Sequence, residues 1–396
     1  MDFTFLTLGY HPDLIGGAYR LVQELAVRLA ARSERVEAIY PAPNRDLPAV
    51  ELRAGVWLRR FPNASGFFLR NWRQENRAAR ALLADRRAAL TVLCHAYLGP
   101  ALPADWPAPL NLFTGPWAAE YQFARRGVRR PLWLRWRDEL IAEGMRRAER
   151  RALRRSWRIM TISRYYAENL PRWHGAGLPP VTVIPCGVDA ERFQPAPDRA
   201  GLRRSLGLAP DDFLFLTVRR LDPRMGLLGL IDGFARVAGE HPRARLWLAG
   251  SGPQKDELAA RVAALGLRDR TRLLGFVPEA DLTGILSAAD CALMPSLDLE
   301  GFGLATVEAL ACGTPVLGSR AGATPEILAP LGEQCLFPAG SPDALAARLG
   351  SVLSDPRSLP DRATCREYVL RNYSWETAVA AFENAWGDWK SGPGRV

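Results

Sequence analysis

Residues 291–319 read CALMPSLDLEGFGLATVEALACGTPVLGS, and the stretch from Glu300 to Glu308 at their centre governs how the rest is read. CALMPSL is an apolar run of strand type, closed by Pro295 and Ser296. Beyond the glycines, Leu304, Val307, Leu310 and Ala311 recur at helical spacing. Gly301, Phe302 and Gly303 therefore fall where a strand ends and a helix begins. There, free backbone N–H groups and the positive end of the helix dipole face the same way, which suits a phosphate group. Glu300 sits in the loop, within reach of a hydroxyl-rich ligand. Glu308 lies about one and a half turns into the helix, placed to accept from a second pair of hydroxyls. A carboxylate, a set of N–H donors and a second carboxylate answer the parts of a sugar–diphosphate–ribose ligand. A loop with one acid and a helix with another is common by itself; the pattern gains meaning from the chain around it.

That chain alternates strands and helices. Phe3–Leu8 is a short apolar strand leading through Gly16-Gly17 into a helix striped by Leu21, Leu25 and Leu29. Val56–Phe61, Ala89–Leu93 and Leu110–Phe113 are expected strands, with a helix over 71–84. His95 falls just past a strand's carboxyl end, where open α/β sheets place ligands, although a lone His there is more often structural. Glu149–Ser163 reads as a helix feeding a strand, and Val181–Pro185 as a last strand before a proline-rich linker reaching Arg199. The second half repeats the alternation, with strands over Phe213–Val218, Arg245–Ala249, Arg272–Val277 and Pro315–Gly318. A final helix follows Ser374, carrying Val379, Phe382 and Trp386 on one stripe. The expected fold class is α/β, with two doubly wound, Rossmann-like parallel-sheet domains facing across a cleft. The expected domains are residues 1–190 and 191–373, with the helix at 374–389 packing back on the first.

The bulk numbers set bounds. At 396 residues, 48% hydrophobic and 24% charged, the chain has room for two cores. No apolar run approaches the ~18–20 residues that cross a bilayer. The opening MDFTFLTLGYHPDLI carries no basic region of secretory type. Six scattered cysteines form no C-x-x-C, and they are expected reduced and mostly buried, with no metal site. The expected compartment is the cytoplasm. The net charge of +10 is concentrated: from Arg125 to Arg158 there are thirteen arginines against four acids, with Trp133, Trp136 and Trp157 interleaved. An anionic membrane surface, a nucleic-acid surface and a solvated helix face in an arginine-rich chain all fit this segment. No nucleic-acid-binding motif accompanies it, so no nucleic-acid partner is expected.

The Glu300–Glu308 stretch closely resembles the donor-binding signature of the retaining GT-B glycosyltransferases of family four. The resemblance runs over nearly the whole chain and is densest from Val181 to Glu326. It implies a donor site in which Glu300 contacts the hexose of a nucleoside diphosphate sugar and Glu308 the ribose. Phe302, Gly303 and Leu304 would lie against the diphosphate, Val277 beside the base, and Gly17 near donor phosphate and acceptor. Arg220 matches the family's phosphate-binding Arg. Two positions depart from the pattern: Thr114 stands where many members have the His of F-H-G-P-W, and Met225 stands at the phosphate-binding Lys, with Arg224 as a neighbouring substitute. Thr114 can donate a hydrogen bond but cannot act as an acid or base near neutral pH. The resemblance implies hexose transfer with retention to a glycan or lipid-linked acceptor, without a metal or other cofactor. The basic segment adds a peripheral membrane location. Two alternatives stand beside it: a degenerate relative that binds nucleotide or glycan as a partner subunit or scaffold, motivated by Thr114 and Met225, and a GT-B nucleotide-sugar epimerase.

Overall fold

The computed structural model describes residues 2–391 except 15, 33, 45, 65–67, 85–87, 124 and 126–130. The chain divides into two compact units, Met1–Pro185 with Trp375–Val396, and Cys186–Ser374. Each is a sheet covered by helices.

The first unit holds β1 (Phe3–Leu6), β2 (Val36–Pro41), β3 (Val50–Arg53), β4 (Val56–Phe61), β5 (Leu90–Leu93), β6 (Leu110–Phe113), β7 (Arg158–Thr161) and β8 (Val181–Val183). They form one sheet in the order β3-β4-β2-β1-β5-β6-β7-β8. The neighbours β2-β1-β5-β6 are buried at every residue, as expected of parallel strands covered on both faces. Glu37, fully buried in β2, accepts from Thr4 Oγ1 at 2.7 Å and Arg59 Nε at 2.9 Å, so its charge is paired.

The sheet departs from the expected all-parallel form at one edge. β3 runs antiparallel to β4 through a hairpin whose two central residues, Ala54 (φ 48°) and Gly55 (φ 79°), are both left-handed. That geometry matches the twist of a two-residue hairpin. Periodicity misses β3 because it is short and its apolar Val50 and Leu52 face outward.

The second unit holds β9 (Phe213–Val218), β10 (Ala244–Ala249), β11 (Thr271–Gly275), β12 (Cys291–Met294), β13 (Val316–Ser319) and β14 (Leu336–Phe337). All neighbours are parallel, in the order β11-β10-β9-β12-β13-β14. The chain starts in the middle, winds outward one way, then returns past β9 to wind the other. Doubly wound sheets with this order place their ligand crevice where the winding reverses, here at the carboxyl ends of β9 and β12.

The closing helix, Trp375–Ser391, belongs to the first unit. The Phe382 ring lies 5.8 Å from Phe3 and 6.2 Å from Phe5, and Trp386 lies 5.1 Å from Phe3. Arg28 stacks over Trp375 at 5.8 Å and pairs with Glu376 at 3.5 Å. Phe382→Ala would open a cavity against β1 at a cost of about 3–5 kcal/mol. That lowers the thermal midpoint by roughly 6–20 °C for a unit of this size. A calorimetric shift below about 2 °C would show that the helix adds little to this core.

Candidate functional site

The loops leaving β9 and β12 are tied to each other and to their neighbours through backbone. Arg219 N donates to Ala249 O at 2.9 Å, Leu221 N to Ser251 O at 2.9 Å, Leu297 N to Arg224 O at 2.8 Å, and Ala323 N to Glu300 O at 2.8 Å. Gly322 makes the last contact feasible: a Cβ there would lie 2.2 Å from Glu300 O, with φ at +56°. Leu299, just before Glu300, holds the left-handed φ of 55°, a strained conformation for a branched side chain. The surrounding loops therefore hold the Glu300 backbone in one place.

Its side chain is held as firmly. Glu300 Oε2 accepts from Arg219 Nη2 at 2.5 Å and from Ser296 Oγ at 2.6 Å, with both charged side chains largely out of water. Burial alone would raise the Glu300 carboxyl. The Arg219 charge, the Ser296 hydroxyl and the nearby Arg224 charge outweigh burial and hold it below the usual glutamate range. Glu300 is a carboxylate throughout the neutral range.

Arg219 is the residue that sequence reasoning passed over in favour of Arg220. Two adjacent arginines look alike in one dimension, but side chains alternate at a strand end. Arg219 is turned to the β12 loop, while Arg220 is largely exposed, 4.0 Å from Asp222. Met225 ends a short turn over Pro223–Met225 and is buried. Arg224 lies on the β12 turn, its Nη1 donating to Leu299 O at 3.1 Å.

The helix Leu304–Ala311 starts at Gly303, whose φ of 95° an L side chain rarely adopts, and no side chain caps it. The cap residue therefore closes the first turn only through its backbone, Gly303 O accepting from Thr306 N at 2.9 Å. The Phe302 ring is buried edge-on against Tyr373 at 5.6 Å, so what it offers a ligand is backbone. Leu304 is half-buried and Glu308 is buried one turn further on. Val277 is half-buried just past β11, beside an exposed Phe276. An apolar cavity of about 360 Å³ shares Pro223, Gly226, Pro295 and Leu297 with the two loops, but none of their charged residues.

The first unit carries the other residues singled out. Gly17 opens the helix Gly17–Ala31 and is exposed. The loop before it is anchored by Asp13, which accepts from Tyr40 Oη at 2.6 Å, Arg53 Nη1 at 2.8 Å and Arg60 Nη2 at 2.7 Å. His95 Nδ1 accepts from Leu8 N at 3.3 Å, and burial lowers its pKa to about 4, so it is a neutral prop for the β1 loop. Thr114 is half-buried directly after β6. Three residues on, Trp117 N donates to Glu149 Oε1 at 2.8 Å, fixing the start of the helix Trp117–Phe123. Glu149 is buried and its pKa is pushed up to about 8, chiefly by desolvation. His174, 3.9 Å away, is lowered to about 4 by burial and the charges of Arg150 and Arg146. Both groups are therefore neutral near pH 7, and their contact is not an ion pair.

Among the described residues, no group of three or more His, Cys, Asp or Glu is placed to hold a metal, and no helix is long and apolar enough to cross a membrane. All six cysteines are free and buried.

Two Rossmann-like units, the second wound about a switch point that carries an acid-flanked helix start, define a GT-B glycosyltransferase fold. Each half of the chain also matches a glycosyltransferase family: residues 15–192 match Glycosyltransferase Family 4, and residues 198–371 match Glycosyl transferases group 1. The chain is 32% identical over 248 residues to a D-inositol 3-phosphate glycosyltransferase of Segniliparus rotundus, covering 61% of this chain and 53% of that protein. It is 32% identical over 205 residues to a GDP-mannose-dependent alpha-(1-6)-phosphatidylinositol monomannoside mannosyltransferase of Mycolicibacterium smegmatis, covering 50% of this chain and 53% of that one. The chain thus spans about half the length of these curated relatives. Its fold superposes on sucrose-phosphate synthase from Thermosynechococcus elongatus with a TM-score of 0.82 at 24% identity, covering 99% of this chain and 100% of that one. It superposes on Anabaena HepE, solved in complex with UDP, with a TM-score of 0.75 at 20% identity, covering 98% of this chain and 100% of that one.

The Glu149–His174 couple has a pH signature. The folded chain keeps the Glu149 proton up to about pH 8, whereas the unfolded chain releases it near its ordinary value of 4.5, so this group's contribution falls as pH rises between those limits. His174, neutral in the fold above about pH 4, contributes in the opposite sense only up to its ordinary 6.5. Above that point the Glu149 effect stands alone. Glu149→Gln keeps an acceptor for Trp117 N and carries no titrating proton. Its thermal midpoint relative to wild type should therefore rise by a few degrees between pH 6.5 and pH 8. A constant difference across that range would contradict the neutral form of Glu149.

Proposed function

We propose that the protein is a retaining glycosyltransferase that moves a hexose from a nucleoside diphosphate sugar to an acceptor hydroxyl on a glycan or lipid-linked saccharide. The observation that carries this reading is Glu300: an ionised carboxylate, pinned by Arg219 and Ser296, at the mouth of an uncapped helix and at the sheet's switch point. The second unit takes the donor. Glu300 accepts from hexose hydroxyls, the Gly303 end of the helix and Arg220 and Arg224 meet the diphosphate, and Glu308 meets the ribose. The anomeric carbon–oxygen bond breaks with its electron pair on the departing diphosphate. The acceptor oxygen forms the new bond on the same face, and its proton passes to the leaving phosphate. The first unit, with Gly17 and Thr114, takes the acceptor. This reading places charge stabilisation on arginine and backbone N–H groups and assigns no step to a metal. The names of the two curated relatives, which carry inositol phosphate and phosphatidylinositol mannoside, favour a phosphate- or lipid-bearing acceptor.

A second reading, a degenerate member that binds nucleotide without turning over, is favoured by one feature: Met225 presents a buried apolar side chain where the resemblance places a lysine. Incubating the protein with UDP- and GDP-sugars and following diphosphate release separates the two. Release at enzymatic rates supports the transferase, and nucleotide binding without release supports the degenerate form.

Glu300→Gln should lower transfer by at least about a hundredfold, while Glu308→Gln should chiefly raise the donor's apparent KM. Unchanged kinetics in both variants would remove the site from the chemistry. Arg219→Gln frees the Glu300 carboxyl to rise, so the acid limb of the kcat/KM profile should move to higher pH, and an unmoved limb would uncouple the pair. Thr114→His with Met225→Lys should increase donor turnover by about tenfold or more if those positions have lost function. No gain would mean that Arg220 and Arg224 already carry the diphosphate charge.

A further inference from the structure

The helix Leu132–Arg155 packs one side into the first unit through Ala142, Met145 and Leu153. At about 100° per residue, Leu132, Trp133, Trp136 and Leu140 fall within roughly one quarter to one third of the circumference on the opposite side. They are 70%, 66%, 71% and 73% exposed. A helix on a sheet normally carries polar residues there, and four large apolar side chains in one outward stripe are the kind of patch that marks a docking surface. Further along the same side, Arg147, Arg151 and Arg154 are exposed.

The acids of this segment offset that charge only in part. Asp138 is buried beneath Tyr121 Oη at 3.0 Å and lies 3.7 Å from Arg125. Glu149 is interior. Glu143 is taken by Arg146 at 2.5 Å and Arg147 at 2.8 Å. Glu139 remains at the surface, accepting from Gln122 Nε2 at 2.9 Å. Trp157, which the sequence grouped with the other two tryptophans, is not part of the stripe: it follows the helix, half-buried, under the Arg158 guanidinium at 5.2 Å. Residues 126–130 of the basic segment lie outside the described residues.

We propose that this stripe docks the first unit on an anionic bilayer surface, with Trp133, Trp136, Leu132 and Leu140 seated at the headgroup–acyl boundary and Arg147, Arg151 and Arg154 against lipid phosphates. Tryptophan and leucine on one side of a helix, continued by arginines, is the chemistry of an interfacial helix. Positive charge selects anionic lipid over a neutral surface. The proposal deepens the transferase reading, on which it rests for the acceptor: a lipid-linked saccharide is met at the surface that carries it.

The test uses the full chain without any sugar nucleotide, so its outcome is independent of turnover. In flotation with phosphatidylcholine vesicles, with and without phosphatidylglycerol, the protein should rise with the anionic vesicles and bind the neutral ones about tenfold or more weakly. Trp133→Glu with Trp136→Glu should abolish flotation at an unchanged thermal midpoint. Trp133→Phe with Trp136→Phe should retain it, and Arg147→Glu with Arg151→Glu should weaken it about tenfold or more at low salt. Equal flotation of wild type and the double-glutamate variant would overturn the proposal. So would equal binding to both vesicle types, or a wild-type dimer that the glutamates dissociate and no vesicle binds.

Discussion

A carboxylate taken out of water and left charged costs several kcal/mol unless a counter-charge and hydrogen bonds meet it. Glu300 is met by both, and the second unit's switch point is arranged around that pairing. Arg219 leaves β9 and Ser296 leaves β12 to meet the side chain of Glu300, and Gly322 leaves β13 against its backbone, so three strand ends of one sheet converge on one residue. The order β11-β10-β9-β12-β13-β14 puts β9 next to β12, which lets an arginine from one loop reach an acid on the other. The pairing also separates two tasks. Arg219 fixes and charges the acid, with Arg224 beside it on the β12 turn, leaving Arg220 as the outward cation of the same loop.

The first unit, besides the charged Asp13–Arg53–Arg60 cluster, holds two of its loops with neutral groups. The turn holding Thr114 is followed by a short helix whose first N–H is met by Glu149, an acid that keeps its proton. A protonated carboxyl still accepts a hydrogen bond while avoiding the full cost of an interior charge. His95 acts likewise for the β1 loop through a neutral ring nitrogen.

Much of this was legible in the sequence because the signals were local. The apolar run CALM, the glycines after it and the helical spacing of Leu304, Val307 and Leu310 are read along the chain, and the structure has a strand, a turn and a helix there. Strand existence was readable where burial on both faces made a continuous apolar run, as in β9. It failed at β3, where exposure removes the pattern, and at β2, where the paired, buried Glu37 interrupts the apolar run. What could not be read were pairings across loops distant in sequence. Glu300 and Arg219 are 81 residues apart, and nothing in either segment announces the other. Asp13 with Arg53 and Arg60 is the same case. The arginine-rich segment shows the opposite limit: composition revealed its charge and tryptophans, but only the helix phase, set by which residues are buried, separates Trp133 and Trp136 from Trp157.

The return of the last helix to the first unit has a consequence for biosynthesis. Phe3 and Phe5 leave the ribosome early, yet the ring that completes their packing, Phe382, emerges only after the whole of Cys186–Ser374 has been made. During translation the amino-terminal sheet stays uncovered on that side while the later unit, continuous in sequence, is free to close first. Sheet edges and apolar rings that wait that long are exposed to misassociation, so the order of synthesis opposes the order in which this chain can finish folding.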